Sequence, residues 1–139
     1  MNPLLLLLLI PFANSPISYR QLTWADYKGK PQSSAIASTC SGIVIEKDTA
    51  YAIFEPDRSW TRTNDPAILR HEQIHFWITF LFARQIALRI KRGQATNEEG
   101  DGCLVFFDEW RKMEEQYDRE TDHGRDTLAQ KQWEEKIKL

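Results

Sequence analysis

Two histidines and a glutamate lie close together near the middle of the chain, at His71, Glu72 and His75. On an α-helix, residues four positions apart lie one turn apart on the same face, so both imidazoles would point the same way. Two imidazole nitrogens in that arrangement can hold two corners of a tetrahedral Zn²⁺. Glu72 would project to the side of the pair, within reach of a water on the metal, where a general base is needed. The pattern therefore favours a catalytic zinc site over two core histidines with satisfied hydrogen bonds.

A catalytic zinc needs a third protein ligand and leaves its fourth position to water. The candidates cluster between residues 117 and 124. His123 is the first choice, because imidazole is a better zinc ligand than a surface carboxylate, with Glu120 and Asp118 as alternatives. Carboxylates that do not bind the metal are expected to accept the second ring N–H of a ligating histidine. Tyr117 is expected in the core, with a catalytic alternative in which its hydroxyl faces the developing oxyanion.

A long helix is predicted to carry the histidine pair, from residue 66 to residue 92. Asp65 before Pro66 is typical of a helix start, and Gly93 after basic residues is typical of a helix end. The helix is apolar nearly all round, which predicts burial on most sides. A second helix is expected over residues 104–122 and a last one over residues 126–138. The predicted packing faces of these two helices are Phe106, Trp110, Met113, Tyr117 and Thr121, and then Ala129, Trp133 and Ile137.

The strands are predicted before the helices. Residues 22–29 favour a short strand running into a turn, and residues 35–45 and 50–54 favour a hairpin across a polar turn. Residues 56–64 are expected to form a loop. This order predicts an α+β fold, in which an antiparallel or mixed sheet packs on the long helix and two further helices follow. A peptide substrate would be expected to pair with the strand at 50–54 or with its neighbour.

The composition indicates a single globular domain. The chain has 139 residues, of which 42% are hydrophobic and 12% aromatic, and its formal net charge is −2. It has no basic run outside the predicted helix ends, so a nucleic-acid partner is excluded.

The N-terminus predicts export. Residues 4–10 are an unbroken apolar run, too short to span a bilayer but typical of a signal-peptide core, and Ala13 and Ser15 are small residues suited to a cleavage site. We therefore divide the chain into a leader, residues 1–18, and a mature domain, residues 19–139, secreted or periplasmic and without a stable membrane span after cleavage. An apolar arm or a membrane tether is the alternative. In an oxidising compartment Cys40 and Cys103 are expected to form a disulfide, the alternative being two small buried hydrophobic residues.

Several stretches together resemble one bacterial family of secreted zinc-dependent proteases, a domain of unknown function similar to the zincin peptidases. They are Leu22-Thr23-Trp24, Tyr27-Lys28-Gly29, Ser34-Ala35-Ile36-Ala37-Ser38-Thr39, His71-Glu72-Gln73-Ile74-His75-Phe76 and Tyr117-Asp118-Arg119-Glu120-Thr121-Asp122-His123-Gly124. The resemblance covers about residues 22–133, and only its paired histidines are chemically specific. It implies a compact zincin in which His71 and His75 bind zinc, Glu72 is the acid/base, and the helix at residues 117–124 delivers the third ligand.

Three functions remain open on the sequence. The first is a secreted zinc metallopeptidase acting on a peptide or protein, with Glu72 as general base. The second is a secreted binding or adaptor domain on the same scaffold, since a chain this small is expected to have little room for a deep specificity pocket. The third is a structural zinc, which would need four protein ligands. The oligomeric state is not specified by the sequence.

Overall fold

The computed structural model describes residues 14–94 and 101–137, and for residues 101–106 only the backbone. The predicted α+β fold is confirmed: small antiparallel sheets are followed by three helices. The elements are β1 (Ile17–Ser18), β2 (Ala37–Ser38), β3 (Ser41–Glu46), β4 (Thr49–Phe54), β5 (Trp60–Thr61), α1 (Pro66–Lys91), α2 (Asp101–Thr121) and α3 (Thr127–Lys136).

The main sheet is antiparallel, with the strand order β1-β4-β3. The predicted hairpin is confirmed as β3 and β4, which pair from Ser41 opposite Phe54 to Glu46 opposite Thr49. The two-residue turn between them includes Lys47, whose φ of 43° is left-handed. Alternate residues of β4, namely Ala50, Ala52 and Phe54, are buried, as expected of a strand with one face on the core.

Two strand predictions were wrong in detail. Residues 35–45 do not form one strand: β2 leaves the main sheet and pairs with β5, inside the predicted loop, and only β3 belongs to the hairpin. Residues 22–29 contain a 3₁₀ turn at Trp24–Asp26 instead of a strand. Asp26 accepts a hydrogen bond from the backbone N–H of Thr23 at 2.8 Å, and this local bond stabilises a turn where residue propensities favour a strand.

Helix α1 runs through the centre of the domain and contacts β4, β3 and α2. The predicted ends are confirmed. The carboxylate of Asp65 accepts from the backbone N–H of Ala67, Pro66 opens the first turn, and Gly93 follows the helix with a φ of 69°. Its buried residues lie on several sides of the helix, so packing holds its side chains in fixed directions.

Helices α2 and α3 cover the side of α1 that carries the histidines. The predicted stripe of α2 is confirmed for Tyr117 and Thr121, which are fully buried, and for Trp110 and Met113, which pack on the core; the side chain of Phe106 lies outside the described residues. On α3, Trp133 packs in the same cluster, and Asp126 caps the first turn by accepting from Ala129 N–H.

Two predictions fall partly outside the described residues. Residues 1–13, with the apolar run, are not described, and β1, which ends the segment assigned to the leader, pairs with β4. Cys40 has a free thiol that donates to Glu55 Oε2 at 3.0 Å, and burial followed by this bond raises the pKa of the thiol to about 11. The side chain of Cys103 is not described, and with Cys40 present as a free thiol the structure shows no disulfide among the described residues. Within the described residues no helix is both long and apolar enough to cross a membrane.

Candidate metal centre

The paired histidines lie on the same face of α1, as predicted from their spacing. The two imidazole rings are 4.9 Å apart between centroids and nearly perpendicular, at 88°. His71 is 1% exposed, and the side chain of His75 is also largely buried, at 12% exposed. Neither ring can turn freely, because each is held at both of its nitrogens.

The Nε2 atoms of both histidines converge on one carboxylate oxygen of α2. Asp118 Oδ1 lies 2.9 Å from His71 Nε2 and 2.7 Å from His75 Nε2. One ligand atom from each of the three residues falls within 4.8 Å of the others. Two nitrogens and one oxygen therefore face a common point between α1 and α2.

The hydrogen-bond partners of His71 on α3 show which of its ring nitrogens carries the proton. Gln130 Oε1 lies 2.9 Å from His71 Nδ1, while Gln130 Nε2 donates to Glu134 Oε1 at 3.3 Å. An ionised carboxylate only accepts hydrogen bonds, so Glu134 fixes the amide orientation and turns the carbonyl oxygen of Gln130 toward His71. His71 Nδ1 must then carry the proton, which leaves the lone pair on Nε2.

The Nδ1 atom of His75 faces a second carboxylate of α2, Glu114 Oε2. The other oxygen of Glu114 accepts from Trp110 Nε1 at 3.1 Å and from Thr79 Oγ1 at 3.3 Å, so this carboxylate is held in place. A carboxylate at Nδ1 makes that nitrogen the donor and leaves the lone pair on Nε2, as in carboxylate–histidine–metal arrangements. Glu114 and Asp118 are four residues apart on α2, so one helical face presents both to the histidine face of α1.

The donor set fits a cation. With both Nδ1 atoms protonated, the neutral histidines aim two Nε2 lone pairs at a carboxylate oxygen that also only accepts. Three acceptors facing one another repel unless a proton or a metal ion lies among them. The group of His71, His75 and Asp118 could therefore hold a metal ion, with its outer partners Glu114 and Gln130 already in position.

Without a metal ion, protons supply the positive charge between the three acceptor atoms, and the pKa shifts of His75 and Asp118 reflect this. Burial lowers the pKa of His75, but hydrogen bonds to Asp118 and Glu114 outweigh it, so its pKa is well above the usual 6.5. Burial raises the pKa of Asp118, but hydrogen bonds to His71 and His75 outweigh that effect and hold its pKa below the usual 3.8. A metal ion binding here must displace the proton that the raised pKa keeps on His75.

Glu72 lies next to this group, in the same cavity. Its side chain is 5% exposed, and its Oε2 accepts from Thr39 Oγ1 at 2.6 Å. The cavity has a volume of about 550 Å³. It is lined by Ser33, Ser34, Ala35, Ile36, Ala37, Ser38, Thr39, Ile68, His71, Glu72, His75, Asp118, His123 and Arg125. A carboxylate thus lines one cavity together with the three potential metal ligands, and this cavity is larger than the length of the chain led us to expect.

The other predicted site residues lie at or beyond the edge of the group. His123, the first choice for third ligand, lies on the cavity rim with its side chain 63% exposed and its Nδ1 3.6 Å from Asp118 Oδ2. Asp118, an alternative, has the position expected of the third ligand. Glu120 instead accepts from Gln116 at the surface. Tyr117 is fully buried: it stacks on His71 with centroids 4.6 Å apart and donates to the backbone carbonyl of that residue at 3.0 Å.

The turn after α2 explains the position of His123. Asp122 and His123 have φ values of 50° and 54°, and Gly124 follows at 87°. A Cβ on Gly124 would come within 2.7 Å of His71 Cγ, so only glycine allows this close approach. The left-handed turn brings the backbone against the outer side of the His71 ring and directs His123 to the rim of the cavity.

Sequence reasoning missed Glu114 and Gln130 as partners of the histidines. Glu114 could have been found, because it precedes Asp118 by one helical turn and so shares its face. Gln130 had no comparable signal, since a glutamine in a third helix reaches His71 only through the way α3 packs. No family model matches the chain, and neither a curated protein nor a solved structure matches it at a significant level.

Proposed function

We propose that this protein is a zinc-dependent metallopeptidase. The observation that carries the proposal is the convergence of two histidine Nε2 atoms and one Asp118 oxygen in a cavity that also contains the carboxylate of Glu72. Two imidazoles and one carboxylate are a known ligand set of catalytic zinc, and three protein ligands leave a position open for water. A structural zinc is less well supported, because the group within the described residues offers three ligands rather than four.

Zinc, when bound, would lower the pKa of the attacking water and polarise the scissile carbonyl. The reaction proposed for the residues of the chain is general acid–base catalysis by Glu72. The carboxylate of Glu72 takes a proton from the water, whose oxygen forms a bond to the carbonyl carbon. The carbon–nitrogen bond then breaks, and Glu72 returns the proton to the leaving nitrogen. His71, His75 and Asp118 would hold the metal, while Glu114 and Gln130 would keep both ring protons on Nδ1.

The proposed substrate is a peptide lying along β2. The strand put forward from the sequence, residues 50–54, is less suitable because no residue of β4 lines the cavity. Residues 33–39, which include β2, line the cavity instead. Arg62 N–H donates to Ile36 C=O at 2.8 Å on the β5 side, so by strand alternation the backbone groups of Ala37 point to the opposite edge. An extended peptide could add to that edge.

We further propose that the protein acts outside the cytoplasm, as a secreted or periplasmic enzyme of the resembled bacterial family. The support is the apolar run at residues 4–10 and the pattern of motifs.

The test is the substitution Glu72→Gln, which preserves size and removes the base. We expect the wild-type protein loaded with one zinc to cleave members of a broad peptide library. The variant should bind zinc as tightly and lose activity by about 10²–10⁴-fold, the usual contribution of general acid–base catalysis. Retained cleavage by the zinc-loaded variant would remove Glu72 from the mechanism. A wild-type protein that binds zinc and cleaves no peptide would favour the adaptor function.

A further inference from the structure

A chain of two hydroxyl groups ends on the carboxylate of Glu72. Thr39 Oγ1 lies 2.6 Å from Glu72 Oε2, and Tyr27 Oη lies 2.9 Å from Thr39 Oγ1. In this hydrogen bond Thr39 donates its single hydroxyl proton to Glu72 Oε2. Tyr27 must in turn donate to Thr39. The direction of both hydrogen bonds follows from this count of protons.

The tyrosine at the start of the chain of hydroxyls is rigidly held. Tyr27 is buried in the main core cluster and makes edge contacts with Trp24 and Phe54, at 4.9 Å and 5.1 Å between centroids. Two residues later, Gly29 N–H donates to Ser59 C=O at 2.8 Å, and a Cβ on Gly29 would come within 2.6 Å of the Asp57 carbonyl oxygen. Because Gly29 has no side chain, its backbone can pack closely against residues 57–59, which precede β5. This packing restricts the position of Tyr27.

Thr39 is held in position by a backbone hydrogen bond of the next residue. Thr39 directly follows β2, and the next backbone N–H, that of Cys40, donates to Ser59 Oγ at 2.9 Å. The same Ser59, through its carbonyl, anchors Gly29. One buried serine thus holds both segments that carry the hydroxyls at a fixed separation.

A carboxylate has two oxygens, and only one of them is taken by Thr39. Glu72 is 5% exposed, and a hydrogen bond in such a poorly solvated place strongly restricts the side chain. With Oε2 tied to the wall of the cavity at Thr39, the second oxygen is left for the reacting water.

We propose that Thr39 and Tyr27 are positioning residues that hold the general base Glu72 in its reactive orientation. The inference rests on the proposed function. Their hydroxyls are hydrogen-bonded to each other and to Glu72 and not to a metal ligand, so removing them should leave zinc affinity unchanged. Hydrogen-bond partners of metal ligands typically contribute about 10–100-fold to activity, and we expect the same range for the hydrogen-bond partners of Glu72. Because the orientation of the base matters in the transition state, the loss should fall on kcat and leave KM within a factor of about two.

The experiment compares zinc-loaded Thr39→Val, Thr39→Ser and Tyr27→Phe with wild type, and uses Thr49→Val, an exposed threonine at the start of β4, as the matched control. Thr39→Val is expected to lose kcat by about 10–100-fold, whereas Thr39→Ser, which keeps the hydroxyl, should retain most of it. Tyr27→Phe preserves the core packing and should lose a smaller factor, about 2–10-fold, because the hydrogen bond to Glu72 survives. The control should equal wild type.

A second measurement does not depend on turnover. Acetohydroxamate has an acidic O–H, and a correctly oriented Glu72 would accept its proton when the compound binds zinc. We therefore expect acetohydroxamate to bind Thr39→Val about 10-fold more weakly than wild type in calorimetry. Equal acetohydroxamate affinity, or equal kcat in Thr39→Val and wild type, would overturn the inference and leave the proposed function standing. If Thr39→Val does not fold, Tyr27→Phe decides the same question. A wild-type protein that takes up no zinc would overturn the proposed function and this inference together.

Discussion

Replacing Asp118 with asparagine is expected to weaken zinc binding about 10²–10³-fold, because a structural zinc with four ligands is bound by about 10–16 kcal/mol, or about 2.5–4 kcal/mol per ligand. Asparagine keeps the size of the side chain and removes the charge of the oxygen that faces both histidines. The change can be measured by calorimetry or by competition with a chelator of known affinity.

The same change should be visible in thermal unfolding. At a zinc concentration 1,000 times its dissociation constant, wild type gains about 4 kcal/mol, which for a domain of this size is a rise in Tm of about 10–16 °C. At that same concentration the Asp118→Asn protein would gain only about 0.4–1.4 kcal/mol, or about 1–5 °C. The comparison uses the shift caused by zinc in each protein, so a lower starting Tm of the variant does not affect it.

His123→Asn is the matched control, since asparagine tolerates the left-handed backbone at this position. The exposed contact between His123 and Asp118 should contribute about 0–1 kcal/mol, so zinc affinity should change at most about 5-fold. The assignment of the third ligand would be refuted if His123→Asn lost zinc to the same extent as Asp118→Asn, or if Asp118→Asn bound zinc as tightly as wild type.

Two further predictions concern the metal-free protein. The raised pKa of His75 should stabilise the fold fully below pH 6.5 and progressively less as pH rises through the folded-state pKa, while the lowered pKa of Asp118 adds stability above pH 3.8 that is lost as pH falls. Urea unfolding should therefore show the largest free energy of unfolding between pH 3.8 and pH 6.5. A free energy of unfolding that does not change with pH would contradict the proposed interaction of His75 with Asp118. Gly124→Ala should cost about 2–5 kcal/mol in the same assay, from its left-handed backbone and the clash with His71. Gly93→Ala, left-handed but with open space around it, should cost only about 1–2 kcal/mol, and equal losses would show that the clash is relieved.

The sequence alone determined the elements whose signals are local. The ends of α1 follow from Asp65, Pro66 and Gly93, because a cap, a proline and a glycine act within one turn of the backbone. The shared direction of His71 and His75 follows from helical periodicity alone. The hairpin was also predicted from local signals, namely strand propensity on either side of a polar turn. The 3₁₀ turn at Trp24–Asp26 was missed because one side-chain hydrogen bond outweighs the strand propensity of its neighbours.

Only the tertiary structure decided which residue completes the metal group. His123 and Asp118 lie five positions apart, so their ranking from the sequence depended on ligand chemistry, which favours imidazole. The packing of α2 on α1 instead directs Asp118 inward, and the left-handed turn at residues 122–124 directs His123 outward. The roles of Gln130, Thr39 and Tyr27 could likewise not be predicted from the sequence, because each contacts a partner 12 to 59 residues away in the chain. Contacts between distant segments depend on how elements pack, and no local pattern specifies that packing.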